Sequence, residues 1–219
     1  MRESGYRILE NVFSDTECEK LLCELSRTPR GRAGTRHLMS HPAIAALAND
    51  DRLVAIASSA LGSGAVPFRT TLFEKSGQMN WLISWHQDTA LPLSHRVELP
   101  GWGPWSQKGG IHYAHAPTWA LSRVVALRVH LDASLADNGP LRAIPGSHCG
   151  GVLSDKEVHD YAEAHLAVDC IVTKGGVLAM SPLLIHGSSK ARVPDPRRVL
   201  HVEYADSLDL SPDLTLAVT

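Results

Sequence analysis

The sequence has few cysteines and no surplus of positive charge. Its 219 residues include only 4 cysteines, none in a CxxC arrangement, which excludes a disulfide-dense secreted scaffold and predicts reduced thiols. Lys and Arg together number 21 against 23 Asp and Glu, and the net charge of -2 provides no general positive field for phosphate backbones or anionic lipid. We therefore expect neither nucleic acid nor a membrane as a partner.

Long apolar runs are also missing. No segment approaches the roughly 20 apolar residues of a membrane span. The first residues, MRESGYRILENVFSD, lack the basic start and apolar run of a signal peptide, so a cytoplasmic protein is expected. With 44% hydrophobic residues the chain can bury one substantial core, and we expect a single domain over residues 1–219.

Residues 1–63 are predicted to be largely helical. Ser14 and Glu17 form a capping box before apolar residues spaced by three and four, which predicts an amphipathic helix with Cys18 on its packed side. A second helical region follows, beginning near Pro42 and stopped by Gly62. These helices are expected to support the core from outside.

The pattern changes over residues 64–206. Short segments rich in Val, Leu, Ile and aromatic residues are divided by Gly, Pro and Asn-Gly signals, which predicts an all-β sandwich or barrel. Residues 154–167 interrupt this series with one more helix, which starts with a second capping box.

Residues 91–120 are rich in Pro, Gly and aromatic residues and show no sustained period. Such a long connection predicts a lid or binding loop, with a disordered surface insertion as the alternative. His112 and His115 within it form an HxxH pair, but loop histidines without a nearby cysteine or carboxylate pair seldom bind metal. We expect these two histidines to contact substrate or to have no role.

One histidine and one carboxylate lie two residues apart in SWHQD. On a strand, His86 and Asp88 would face the same side, with the residue between them facing away. Iron with open coordination positions is typically held by two histidines and one carboxylate, so a third ligand must come from another strand. His186 ends the apolar run GVLAMSPLLI and is the best candidate. Taken alone, an HxD pair is more often an ordinary polar pair.

An arginine follows the last of these residues along the chain. Arg197 heads the segment RRVLHVEYAD, where its guanidinium could hold a dicarboxylate by paired charge-assisted hydrogen bonds. The alternative is a surface arginine at a strand start, since Arg198 stands beside it. A metal site next to a carboxylate clamp suggests a chelating keto acid.

Five segments together resemble the phytanoyl-CoA dioxygenase family of Fe(II)- and 2-oxoglutarate-dependent oxygenases. They are WHQD, ALRVHLD, NGPLRAIPGSH, LLIHGSS and the arginine at position 197, in family order between residues 73 and 206. The resemblance implies a mainly β jelly roll, or double-stranded β-helix, with flanking α-helices. It assigns iron to His86, Asp88 and His186. It assigns the distal carboxylate of 2-oxoglutarate to Arg197, assisted by the hydroxyl of Ser188.

The resemblance also implies an activity. The protein would use Fe(II), 2-oxoglutarate and O2 to hydroxylate or otherwise oxidise an organic molecule, with succinate and CO2 as products. Asp88 favours hydroxylation or a related oxidation over halogenation, because halogenating relatives replace this carboxylate with a small residue. The sequence shows no extended basic patch for a CoA phosphate, so we expect a small metabolite as substrate. Nothing in the sequence predicts the oligomeric state.

Two other functions stay open at this point. A non-enzymatic, cupin-like binding module would keep the metal pocket without turnover. A cupin-type Zn(II) or Mn(II) isomerase or hydrolase would use Arg197 to hold its substrate. Metal identity would separate these possibilities, because imidazole and carboxylate ligands alone accept several divalent ions.

Other polar residues have two possible placements. Arg128 and His130 share one face of a predicted strand, which either lines the active cavity or is a solvated outer face. Arg142 either reaches the pocket or lies on the surface near a turn. His201 and Glu203, on the Arg197 strand, are expected to face the exterior.

Overall fold

The computed structural model of the protein describes residues 1–28, 34–77 and 79–219. Five helices lie in these ranges: α1 Asp15–Leu25, α2 Pro42–Ala48, α3 Asp51–Leu61, α4 Thr118–Leu121 and α5 Asp155–Ala164. The strands are β1 Tyr6–Leu9, β2 Thr35–Arg36, β3 Val66–Lys75, β4 Ile83–His86, β5 Ala90–Leu93, β6 Trp105–Lys108, β7 Ile111–His115, β8 Val124–His130, β9 Leu141–Ala143, β10 Val168–Cys170, β11 Val177–Met180, β12 His186–Ser188, β13 Arg197–Ala205, β14 Asp209–Ser211 and β15 Leu214–Thr215.

The N-terminal helices form for local reasons that the sequence shows. In α1 the Ser14 hydroxyl accepts from the backbone N–H of Glu17, and the Glu17 carboxylate accepts from the N–H of Ser14. Helix α3 is capped by Asp50 and ends at Gly62, whose φ of 76° lies in the left-handed region. Cys18 is fully buried in the apolar cluster beneath these helices, as its spacing predicted.

A six-stranded antiparallel sheet forms the centre of the fold. Its strand order is β1-β11-β8-β13-β3-β2. Leu127, Val129, Leu200 and Val202 of β8 and β13 pack against the apolar sides of α1 to α3. The N-terminal helices therefore pack on the core through their apolar faces, as the sequence predicted.

A second antiparallel sheet covers the other face of the first. It has the order β10-β9-β12-β4. Ala126, Leu178 and Met180 of the large sheet pack against Leu141 and Ala143 of the smaller one. Two facing antiparallel sheets with helices outside one of them form the double-stranded β-helix, or jelly roll, so the predicted fold class is confirmed.

The segment expected to be a loop contains a third sheet. β5, β7 and β6 pair in that order as an antiparallel unit, which we call the covering sheet. The expectation of a long connection without secondary structure was wrong. These strands are only 4 or 5 residues long, so they show no periodicity, and they are stabilised by pairing and by burial of Leu91, Leu93 and Ala114. Within the described ranges, no helix combines the length and apolar character that crossing a bilayer requires.

Candidate metal and cosubstrate site

Two strands bring the three predicted metal ligands together. His86 ends β4, His186 begins β12, and the antiparallel register places their Cα atoms opposite each other. The Nε2 atom of His86 lies 3.6 Å from one carboxylate oxygen of Asp88, and Nε2 of His186 lies 3.5 Å from the other. All three potential ligand atoms lie within 4.8 Å of one another.

Asp88 lies just beyond the end of β4, although the sequence predicted it on the strand. Its backbone N–H donates to the carbonyl of Pro182, at 2.9 Å, so the chain leading to His186 also holds Asp88 in position. His86 and Asp88 do point to the same place, as strand alternation predicted. For Asp88, however, the cause is a backbone hydrogen bond between two loops.

Hydrogen bonds orient both imidazoles. Nδ1 of His86 lies 2.9 Å from the carbonyl oxygen of Ser84, and Nδ1 of His186 lies 2.9 Å from that of Leu184. A carbonyl only accepts, so each Nδ1 carries a proton, and in the neutral form of each imidazole the Nε2 atom on the Asp88 side has the free lone pair. This is the form in which a histidine binds a metal ion.

The local charges suit a metal site. Burial lowers the pKa of His186 to about 4 despite the nearby Asp88, so this imidazole is neutral at neutral pH. Burial opposes ionisation of Asp88, but its interactions with the neighbouring His186 and His86 outweigh burial and hold the pKa of Asp88 well below its usual range. Burial also acts to lower the pKa of His86, and the hydrogen bond and charge of Asp88 outweigh it and raise that pKa.

Gln87 anchors the turn that carries the ligands. Its side-chain amide donates to the carbonyls of Gly151, at 2.8 Å, and Leu183, at 2.7 Å, and its oxygen accepts from the backbone N–H of Leu153, at 2.9 Å. The sequence placed Gln87 opposite the ligands but gave it no role. Its position between two ligands in HQD was the available signal.

A cavity of about 330 Å³ extends from the three ligands to a buried group of cations. Arg197, at the start of β13, pairs in register with Lys75, at the end of β3, and Arg128 lies on neighbouring β8. We call Lys75, Arg128 and Arg197 the inner cations. Arg197 is only 3% exposed, and its Nε and Nη1 atoms have no hydrogen-bond partner among the described residues.

Burial and mutual repulsion weaken the hold of the inner cations on their protons. Burial first, and then the neighbouring arginine charges, lower the pKa of Lys75 to about 8 and, with Arg128 as the neighbour, that of Arg197 to about 9. Burial lowers the pKa of Arg128 to about 10. Unpartnered positive groups in a buried cavity are costly, so the site is complementary to an anion.

The sequence missed Lys75 and identified Ser188, which contact each other. Nζ of Lys75 donates to the Ser188 hydroxyl at 2.6 Å and also to the carbonyl of Ser189. The Ser188 hydroxyl in turn donates to the carbonyl of Gly139, at 2.9 Å. Ser188 therefore lies beside Lys75, and its hydroxyl positions the lysine; its predicted part in binding 2-oxoglutarate stays a prediction.

Arg128 and His130 both lie inside the fold, so a solvated outer face was wrong for them. Arg128 lines the cavity, lies over the ring of Phe73 at 5.2 Å, and donates to Nδ1 of His201 at 3.2 Å. His130 is buried away from the cavity lining, with its Nδ1 atom 2.9 Å from the hydroxyl of Ser134.

The exterior placement of His201 and Glu203 was also wrong. They are 2% and 1% exposed, and Glu203 forms an ion pair with Arg69. The large sheet is covered on both faces, so a polar residue on either side of β13 is enclosed. Arg142 lies outside the cavity lining, partly exposed, with Asp169 3.1 Å away as its ion-pair partner.

The covering sheet forms one wall of the cavity. Lys108, Tyr113 and His115 all line it, and Nδ1 of His115 lies 2.6 Å from the hydroxyl of Thr89. Thr89 follows directly after Asp88, so this bond links the covering sheet to the turn that carries the metal ligands. His115 thus lines the cavity, and its expected contact with substrate stays a prediction.

Comparison with known proteins gives a consistent result. The family model described as phytanoyl-CoA dioxygenase (PhyH) matches residues 1–199. An ectoine dioxygenase from Bordetella bronchiseptica is 28% identical over 163 residues, which cover 66% of this chain and 46% of that relative. The chain thus spans about half the length of this curated relative, 46% by alignment.

Solved structures share the fold. AviO1 from Streptomyces viridochromogenes Tue57 superimposes with a TM-score of 0.67 at 21% identity, covering 99% of this chain and 94% of the other. EctD from S. alaskensis, solved with 2-oxoglutarate and 5-hydroxyectoine, gives 0.70 at 22% identity, covering 93% and 72%. Because the family model extends over most of the sequence, this chain belongs to the phytanoyl-CoA dioxygenase family.

Proposed function

We propose that this protein is an Fe(II)- and 2-oxoglutarate-dependent dioxygenase that hydroxylates or otherwise oxidises a small organic metabolite. One observation carries the proposal: two histidines and a carboxylate converge in the same cavity as a buried arginine with free N–H groups. His86, Asp88 and His186 would bind iron, and Arg197 would bind the cosubstrate.

The three ligands fit Fe(II). Two neutral imidazole nitrogens and one carboxylate form the set that holds non-haem iron while leaving coordination positions open. The carboxylate points one oxygen toward each imidazole, and the cavity lies on the remaining side. When bound there with 2-oxoglutarate and O2, iron would supply the oxidising chemistry, with succinate and CO2 as products.

The inner cations fit the far carboxylate of 2-oxoglutarate. Arg197 offers two N–H groups that have no partner among the described residues, and a guanidinium binds a carboxylate through two parallel hydrogen bonds. Lys75 lies opposite it and adds a second positive charge. Ser188 would assist by holding Lys75 in place, since the Ser188 hydroxyl accepts from that ammonium group.

The protein's own residues perform three tasks in this scheme. The carbonyls of Ser84 and Leu184 fix both imidazoles in the metal-binding tautomer. The inner cations orient the cosubstrate toward the metal ligands. The covering sheet, held to Thr89 by His115, would shield the reacting atoms from water.

The relatives support the proposal by what they bind. EctD from S. alaskensis was solved with 2-oxoglutarate, and the relative from Bordetella bronchiseptica is an ectoine dioxygenase. The ligands named for these two relatives are small molecules. The cavity here is also of a size for small ligands, near the lower end of the roughly 300–1,000 Å³ that is usual for them. The predictions of a single oxygenase domain and of a cytoplasmic location stay predictions.

A spectroscopic titration tests the proposal without knowledge of the substrate. Fe(II) and then 2-oxoglutarate are added anaerobically to metal-free protein, and a weak visible charge-transfer band is expected only after the keto acid. His186→Ala should abolish the band, whereas His159→Ala, at an exposed position on α5, should retain it. Stoichiometric iron uptake without a band would contradict the proposal and favour a cupin-like binder or another metalloenzyme.

A further inference from the structure

A second group of positive charges lines the cavity at its opening. Arg36 of β2 and Lys108 of β6 are exposed to solvent and also line the cavity, together with the partly buried Arg69 of β3. We call Arg36, Arg69 and Lys108 the outer cations. They come from three strands of two different sheets, so their grouping results from the tertiary fold and not from a charged run in the sequence.

Two of the outer cations, Arg69 and Lys108, lie near one aromatic ring. Nζ of Lys108 lies 4.9 Å from the centroid of the Tyr113 ring, and the guanidinium carbon of Arg69 lies 5.9 Å from it. Nε2 of His37 lies 3.1 Å from the Tyr113 hydroxyl. The ring face and its hydroxyl therefore sit within a positively charged part of the cavity wall.

Only one of the outer cations is neutralised. Arg69 forms an ion pair with Glu203 and donates to the carbonyl of Ala90 at 2.8 Å. Arg36 and Lys108 have no carboxylate partner in the part of the chain that the structure describes. Partial burial, and then the charges of Arg36 and Arg69, lower the pKa of Lys108. The positive charges of the outer cations are thus close enough to repel one another.

A glycine turn after Lys108 lies close to the His37 side chain. Lys108 is followed by Gly109 and Gly110, which turn β6 into β7 with φ values of 57° and 83°. A Cβ atom on Gly109 would lie 2.8 Å from Cε1 of the His37 ring, so the turn lies directly against the side chain of the residue after Arg36. The hairpin therefore presents Lys108 beside β2.

We propose that Arg36 and Lys108 bind an acidic group of the organic substrate, which makes that substrate a small carboxylic acid or phosphate ester. The proposal rests on the proposed function, because the inner cations are reserved there for 2-oxoglutarate. Asp88 would face the metal ion and Glu203 already neutralises Arg69. Arg36 and Lys108 have no carboxylate partner among the described residues, so both charges at the opening are available to an anion from solvent.

The geometry also sets the position of the acidic group. It would bind at the opening, against Tyr113, while the part of the substrate to be oxidised extends inward to the metal ligands. The sequence shows no extended basic patch for a CoA phosphate, and it could not show this pair, because Arg36 and Lys108 are far apart along the chain. The cavity of about 330 Å³ must hold cosubstrate and substrate together, so the acid is small.

Nuclear magnetic resonance can test this with simple probes. The protein is loaded with Zn(II), which has no redox chemistry, and with saturating 2-oxoglutarate. Propionate, the neutral propionamide and inorganic phosphate are then titrated separately, and their binding is followed by saturation transfer or by phosphorus line width. Signals of 2-oxoglutarate in the same sample report whether the cosubstrate is bound.

We expect propionate, phosphate or both to bind, and propionamide not to bind. Arg36→Gln and Lys108→Gln should each lower the binding affinity for the acid by about tenfold, the effect of one charge-assisted hydrogen bond. The probe that loses affinity in the double variant identifies the group as carboxylate or phosphate. Lys156→Gln, which removes an exposed cation on α5, is the control and should change nothing.

Three results would overturn the inference. They are equal binding of propionamide and propionate, no binding of either acid, and acid binding in the double variant within about twofold of the unsubstituted protein. In each case bound 2-oxoglutarate would leave the proposed function intact. Failure of 2-oxoglutarate itself to bind would instead overturn the proposed function, and this inference with it.

Discussion

Replacement of Arg197 by alanine should impair cosubstrate binding without lowering the stability of the protein. The guanidinium is 3% exposed and two of its nitrogen atoms lack partners among the described residues, so it contributes little to holding the fold together. Its burial beside Arg128 is unfavourable, as the lowered pKa of about 9 shows. We therefore expect metal-free Arg197→Ala to unfold at a temperature no lower than that of the unsubstituted protein.

The same substitution should strongly lower the affinity for 2-oxoglutarate. A charge-assisted hydrogen bond contributes about 1.5–3 kcal/mol, which corresponds to a rise in Kd of about 10- to 150-fold. Two free nitrogen atoms on Arg197 favour the upper part of this range, and the remaining charges of Lys75 and Arg128 limit the loss. Anaerobic titration of the Fe(II)-loaded protein, followed at the visible charge-transfer band, measures the Kd.

Arg198→Ala is the matched control. Nε and Nη2 of Arg198 donate to the two carboxylate oxygens of Asp132 at 2.7 and 2.8 Å, outside the cavity lining. This variant should keep its 2-oxoglutarate affinity and lose about 1–3 kcal/mol of stability, or roughly 2–4 °C in unfolding temperature per kcal/mol. An Arg197→Ala protein that binds 2-oxoglutarate within about threefold of the unsubstituted one, or an equal loss in Arg198→Ala, would refute the assignment.

Three further outcomes are expected. Asp88→Ala should abolish succinate formation while unfolding remains cooperative, and succinate at the original rate would remove Asp88 from the ligand set. Gln87→Leu should lower the free energy of unfolding by about 2–4 kcal/mol in urea titrations, since it leaves the carbonyls of Gly151 and Leu183 and one N–H without their partner. The lowered pKa of Lys75, about 8 against 10.5, means that the unfolded chain binds more protons between these pH values, so metal-free protein should gain stability as pH rises through this window. Lys75→Met should flatten that slope, and an unchanged slope would contradict the burial of a charged lysine.

The metal ligands could be predicted because their chemistry restricts both residue type and spacing. His86 and Asp88 lie two apart, and His186 ends an apolar run, so each stands at or next to the end of a strand. The position of Asp88 past the strand end was not predictable from alternation. It depends on a backbone hydrogen bond to Pro182, and such bonds leave no pattern in the sequence.

The cations of the cavity could not be predicted as groups. Arg197 and Lys75 become neighbours through the register of β13 and β3, and Arg128 joins them through the pairing of β13 with β8. Neither register is visible in single segments, where a lysine at a strand end is typical of a solvated position. The covering sheet was missed for the same reason, because its short strands form only by pairing with one another.

The two groups of cations explain how one cavity could keep two acids apart. The inner cations are almost enclosed, so an anion there loses its water and gains strong, oriented contacts, which suits a cosubstrate used in every turnover. Arg36 and Lys108 are exposed and solvent screens their charges, so they attract an acid but hold it weakly. The substrate would then enter after the keto acid has filled the deeper site, and Asp88 with its two histidines lines the same cavity as both groups of cations. Both acids are negatively charged, so charge alone cannot direct them to different sites. In this arrangement the two sites differ in burial, because an acid loses its bound water at the inner cations and keeps much of it at the outer ones.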